Sequence, residues 1–149
     1  MVLPPPRGGG ASIDVARGPK AGDALFSYGT LMFPEIRIAL LGRTVRCRPA
    51  AVCGWRAAAL KGRPYPGLVA AADATTEGVV ILGLSGLDWK TIDRFEGPEY
   101  LCRLLDLAGG GTAWAYLWLD PSVVCDDNWD PRRFGRDTLR TYLTAWYEQ

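Results

Sequence analysis

The segment 113–119 constrains the fold more than any other part of the chain. Read with the two-residue period of a strand, Trp114, Tyr116 and Trp118 share one face, while Ala115, Leu117 and Leu119 share the other. A strand with one face in water alternates apolar with polar; this one must be covered on both sides. Val79-Val80-Ile81-Leu82 makes the same demand and reads as a central strand. Both point to a closed or covered sheet. The length allows it, because a chain of 149 residues buries roughly 68–70% of its unfolded surface. With 48% apolar residues and a net charge of +1, disorder of the whole chain is excluded.

The remaining elements follow from local signals. Residues 24–28 read as a short strand stopped by Gly29. Pro34 suits the first turn of a helix, Ile36, Ala39 and Leu40 keep its apolar spacing, and Gly42 suits its end. Val45 and Cys47 alternate with Arg46 and Arg48 as in a half-buried strand, and Pro49 puts that strand at an edge or a bulge. Residues 55–60 read as a separate strand, followed by the Gly/Pro-rich loop 62–67. A short helix is expected over 88–95, with Ser85 and Asp88 as its capping box. Residues 100–107 and 113–119 pair as a hairpin across the glycine run 109–111. Asp130-Pro131 starts a terminal amphipathic helix carrying Leu139, Tyr142, Leu143 and Trp146. This order predicts an α+β fold: a compact mixed β-barrel of about five to seven strands with flanking helices. Residues 1–23 hold nine Gly or Pro and no aromatic, so they are expected to form a flexible leader before a single domain, 24–149.

Composition removes whole classes of chemistry. The chain has no histidine, which excludes Ser-His-Asp and Cys-His nucleophile pairs, two-His zinc sites and His-ligated haem. Cys47, Cys53, Cys102 and Cys125 form no Cys-x-x-Cys pair, so they are expected to be buried free thiols. No metal and no cofactor is expected. The charge balance offers no field for nucleic acid or an anionic membrane, and the six basic residues of 43–63 read as a solvated strand face. No apolar run reaches the ~18 residues of a membrane span, and the start lacks an apolar signal region, so the expected location is cytoplasmic.

General acid-base work then falls to Glu, Asp, Lys, Tyr or Cys. Glu96 stands out: it lies where a helix ends, between Phe95 and Gly97. The second candidate is Tyr28-Gly29-Thr30-Leu31, a glycine turn between the first strand and the first helix. Such a turn can aim successive backbone N–H groups at a carboxylate or a developing oxyanion. It is too short for a dinucleotide or Walker loop, and no Gly-x-Gly-x-x-Gly occurs.

Taken together and in this order, Tyr28-Gly29-Thr30-Leu31-Met32 and Phe95-Glu96-Gly97-x-x-Tyr100 make residues 24–149 resemble the gamma-glutamylcyclotransferase-like family. The stretches Gly54-Trp55-Arg56, Tyr65-Pro66-Gly67, Glu77-Gly78-Val79-Val80 and Ala113-Trp114-Ala115-Tyr116 extend the resemblance. It implies a compact barrel with a cavity between the glycine turn and the glutamate. It implies that Glu96 is the acid-base residue, and that Tyr28, Gly29, Thr30, Leu31 and Tyr100 bind a small-molecule γ-glutamyl substrate. The arginine usually found two residues after that tyrosine falls here on Cys102. The implied reaction releases 5-oxoproline and an amine without metal or cofactor. The alternative is a non-catalytic small-molecule-binding or interaction protein on the same scaffold.

Overall fold

A computed structural model describes residues 18–148; residues 1–17 of the expected leader lie outside them. Of the rest of that segment, Gly22 donates its N–H to the Leu84 carbonyl at 3.0 Å, and Asp23 accepts from the Trp114 indole at 3.1 Å.

The chain runs β1 (Leu25–Ser27), a 3₁₀ turn (Thr30–Met32), α1 (Pro34–Leu41), β2 (Arg46–Leu60), β3 (Gly67–Leu82), α2 (Gly86–Glu96), β4 (Tyr100–Asp106), β5 (Thr112–Trp118), β6 (Val124–Asn128), α3 (Pro131–Asp137) and α4 (Leu139–Tyr147). One mixed sheet has the order β4-β5-β1-β3-β2-β6. β1 lies antiparallel to β3 and parallel to β5. Because β1 has only three residues, β5 meets β3 directly beyond it, at Leu68 opposite Leu117.

The expected α+β class and mixed sheet are present, but the sheet is not closed: β4 and β6 are its two edges. It covers itself by curling. Leu25, Ile81, Leu104, Trp114 and Tyr116 point into one apolar cluster, together with Ile36, Trp89, Ile92 and Phe134 from the helices. Their strand neighbours Phe26, Val80, Leu105, Ala113 and Ala115 point the other way, into a second cluster with Val52 and Leu68 that no helix enters. Both faces of β5 are therefore buried, one by helices and one by the sheet itself. Trp114 is 1% and Ala115 0% exposed.

Three expectations need correction. The strands read at 45–48 and 55–60 are one strand, β2, which continues through a bulge between Cys53 and Trp55; a bulge bends a strand without ending its pairing. Pro49 sits where β2 has β3 alone for a neighbour, since β6 joins only around Ala58–Leu60. The terminal helix is two helices broken at Thr138, with Asp130 capping the first through the Arg132 and Arg133 N–H groups. The cysteines are free but not buried: Cys53 is exposed and the other three are half-buried. Among the described residues no helix is long and apolar enough to cross a membrane.

Candidate active site

The site begins where β1 ends. After Ser27 the chain leaves the sheet, and Gly29 opens the 3₁₀ turn, with Met32 donating to the Gly29 carbonyl at 3.0 Å. The N–H groups of Thr30 and Leu31 come before Met32, the first donor of that turn, so the turn itself gives them no partner. Arg37, one turn into α1, donates to the carbonyls of Leu31 and Met32 at 2.9 and 2.8 Å and ties down the far end. Gly29 is needed here for a close approach. A Cβ would stand 3.1 Å from Pro66 Cγ, so the glycine lets loop 62–67 lie directly against the turn.

Glu96 arrives from the other side, as the last residue of α2. The helix starts where the sequence says it should: Ser85 accepts from the Asp88 N–H at 3.0 Å, and Asp88 accepts from the Ser85 N–H at 2.9 Å. Trp89 and Ile92 anchor its inner face in the core, which fixes where its last turn ends. Gly97, at φ 81° and ψ −177°, then turns the chain into β4. That conformation is open to glycine and essentially closed to other residues.

Between these pieces lies a cavity of ≈ 120 Å³. Tyr28, Gly29, Thr30, Leu31, Glu96 and Tyr100, all singled out in the sequence, line it together. So do Tyr65, Pro66, Tyr116 and Tyr142, which were not. The sequence gives Tyr116 as a sheet-face residue and Tyr142 as part of a helix stripe; only tertiary placement turns either toward the cavity.

The phenols around the cavity are mostly engaged. Tyr28 donates to the Tyr116 carbonyl and accepts from the Leu68 N–H at 3.2 Å, so its hydroxyl joins β5 to β3 and its ring is what the cavity meets. Tyr100 donates to the Pro66 carbonyl at 2.7 Å, and Trp129 donates to the Pro64 carbonyl at 2.8 Å, holding loop 62–67 from both sides. Tyr116 donates to Asp93 Oδ1 at 3.2 Å.

This environment sets the electrostatics. Glu96 keeps some accessible surface, as a group facing a cavity must, but protein surrounds its carboxyl. Burial, and secondly the charge of Asp93, push its pKa up from 4.5 to about 8. Burial also drives Tyr28, Tyr100 and Tyr116 upward, with the charge of Glu96 acting in the same sense. Tyr142 is pushed by burial to about 12, the Thr30 hydroxyl offsetting part of the rise. Cys102 is likewise pushed by burial to about 12, so it is a neutral thiol at physiological pH. Among the described residues, Glu96 is the only carboxyl in the lining, and no cation lines it. An anionic group bound there would therefore meet N–H and O–H donors. Among the described residues no group of three or more Cys, Asp or Glu side chains could hold a metal ion.

The sequence profile of a family described as "Gamma-glutamyl cyclotransferase, AIG2-like" matches residues 25–133. AIG2-like protein C of Arabidopsis thaliana is 36% identical over 134 residues, which span 85% of this chain and 77% of that protein. Protein AIG2 C of the same plant is 34% identical over 117 residues, 74% of this chain and 66% of that one. A solution structure of an Arabidopsis thaliana protein superposes with a TM-score of 0.66 at 23% identity, covering 88% of this chain and 83% of the other. An uncharacterized protein from Pyrococcus horikoshii superposes at 0.56 and 16% identity, over 76% of this chain and 94% of its own. At these identities the two structures speak for the fold alone.

Proposed function

Starting from the AIG2-like gamma-glutamyl cyclotransferase family, to which this chain belongs, we propose that the protein closes a γ-glutamyl compound to 5-oxoproline and releases the attached amine. The observation that carries this reading is Glu96: a carboxyl whose hold on a proton is raised by burial, lining the same cavity as a turn with N–H groups to offer. The cavity also suits the substrate in size. By the same measure a water-sized group takes roughly 10–15 Å³, and the γ-glutamyl group has about nine heavy atoms.

The reaction is intramolecular. The α-amine attacks its own γ-carbonyl carbon; a C–N bond forms within the new ring, and the C–N bond to the departing amine breaks. Near-attack positioning of amine and carbonyl contributes up to roughly 7–11 kcal/mol. The amine must lose a proton, which passes to Glu96 and then to the departing nitrogen. An unshifted glutamate near ~4.3 facing an α-amine near ~7.8 would make the first transfer cost about 5 kcal/mol. With Glu96 raised to about 8 the two groups are close to matched and most of that cost is removed. N–H groups of Thr30 and Leu31 stabilise the oxyanion, at about 3–4 kcal/mol per well-placed donor. In this reading the reaction is cytoplasmic and needs no metal or cofactor.

The test is incubation with a panel of γ-glutamyl compounds whose leaving groups are an amino acid, a peptide amine and an alkylamine, with 5-oxoproline detected by mass spectrometry. Release from at least one supports the reading. Binding of the panel with no 5-oxoproline from any member would point to a non-catalytic binder on this scaffold.

A further inference from the structure

Asp93 stands one helical turn before Glu96 on α2, so the two carboxyl side chains are neighbours on the helix surface. Asp93 is itself exposed, and a solvent-facing aspartate on a last turn ordinarily swings freely. Here its Oδ1 accepts a hydrogen bond from the Tyr116 phenol at 3.2 Å. Tyr116 cannot follow it outward: it is 4% exposed, fixed in β5 opposite Cys102, and packed edge-on against Tyr100. A buried ring thus tethers an exposed carboxylate beside the proposed proton carrier.

The ionisable groups around Glu96 are Asp93 on α2, Tyr28 after β1, Tyr65 in loop 62–67, Tyr100 and Cys102 on β4, Tyr116 on β5 and Tyr142 on α4. Burial keeps the phenols of Tyr28, Tyr100, Tyr116 and Tyr142 and the Cys102 thiol protonated, hence neutral, through physiological pH. Asp93 is the one carboxylate among them, and none of them is a cation. At the C-terminal end of α2 the helix dipole adds negative potential in the same sense.

We propose that Tyr116 and Asp93 are a positioning pair for Glu96: the phenol holds the Asp93 carboxylate in place, and that fixed negative charge strengthens Glu96 as a base. The pair touches no reacting atom in this scheme; it acts through Glu96. The inference rests on Glu96 being the proton carrier of the cyclotransferase reading, but its test does not require turnover.

The experiment is a carbon-13 NMR titration of the glutamate carboxyls in the wild-type chain, Asp93→Asn and Tyr116→Phe. Asp93→Asn is expected to lower the Glu96 midpoint by about one pH unit, the low end of the roughly 1–3 units that a unit charge close by produces. Tyr116→Phe should lower it in the same direction and by less, because the charge remains but is no longer held. Raising the ionic strength to about 1 M, where the screening length is ~3 Å, should move the wild-type midpoint down and leave that of Asp93→Asn in place. The salt arm needs no variant to fold. A Glu96 midpoint that ignores both salt and Asp93→Asn would overturn the proposal. If instead Glu96→Gln turned over normally while the titration behaved as described, the cyclotransferase mechanism would fall and the electrostatic pair would stand.

Discussion

The end of α2 and the start of β4 each present a glutamate, three residues apart, in two different solvents. Glu96 faces the cavity, where burial raises its hold on a proton. Glu99 has a side chain 41% exposed and is paired with Arg63 at 2.7 Å, whose guanidinium also lies over the Trp118 ring at 5.2 Å. The residue type is the same and the surroundings are opposite: burial holds a proton on one carboxyl, and the other stands in a partly exposed ion pair. Gly97, between them, makes the turn that separates the two.

The largest expected effect breaks this contrast at its functional end. Glu96→Gln keeps size and hydrogen-bonding capacity but loses the basic oxygen, so kcat should fall by about 10²–10⁴-fold, the usual contribution of a positioned acid-base group. Glu99→Gln should turn over at close to the wild-type rate. Steady-state kinetics on both, beside circular dichroism to show each is folded, decides it. Near-normal turnover by Glu96→Gln, or an inactive Glu99→Gln, would reverse the assignment.

A second contrast is in stability. The folded chain holds the Glu96 proton up to about 8, while the unfolded chain releases it near 4.5. Between those values the folded state binds more protons, so stability is lost as pH rises through this window. The full shift is of order a few kcal/mol. Glu96→Gln, which cannot ionise, should therefore melt close to wild type at pH 5 and clearly above it at pH 9. Glu99→Gln should show no such divergence, since an exposed ion pair contributes little. Paired thermal melts at the two pH values check this; parallel curves for wild type and Glu96→Gln would mean that the carboxyl is not desolvated.

The smallest effect concerns the divider itself. Gly97→Ala forces a Cβ onto a backbone conformation that costs of order 1–3 kcal/mol for other residues. It should lower the melting temperature, and kcat as well, because relief of the strain moves Glu96. Calorimetry and kinetics on one variant measure both; an unchanged kcat would show that Glu96 is positioned by the helix alone.

How much of this was legible in the sequence depended on what each element is made of. β5 and the last four residues of β3, 79–82, announce themselves because both of their faces are apolar, and that same feature is why a covered sheet could be foreseen; the rest of β3, with its polar and exposed positions, was not read as strand. β6 could not be. Its residues Val124–Asn128 are largely polar and sit on an edge, paired to β2 through the backbone, and backbone bonds leave no mark on composition. Nor does a bulge that bends β2 without interrupting it differ, in sequence, from two strands and a turn. In the site, Glu96 and the glycine turn were visible through order and spacing. Tyr65, Pro66, Tyr116 and Tyr142 were not, because an aromatic that lines a cavity and one that fills a core obey the same periodicity. Gly29 was legible as a turn residue; that it also admits Pro66 at close range was not.

The hydroxyl of Tyr28 has a consequence for the order of assembly. It donates to Tyr116, 88 positions along the chain, and accepts from Leu68, 40 positions along. Each bond waits on closure of its own long segment, and closure of that kind is an entropic cost that must be met before its contacts return anything. Helices and the long β2–β3 hairpin can form from neighbours in sequence, but the cavity has no local precursor. The pocket therefore depends on contacts made far apart in sequence, and it is complete only when the whole domain is.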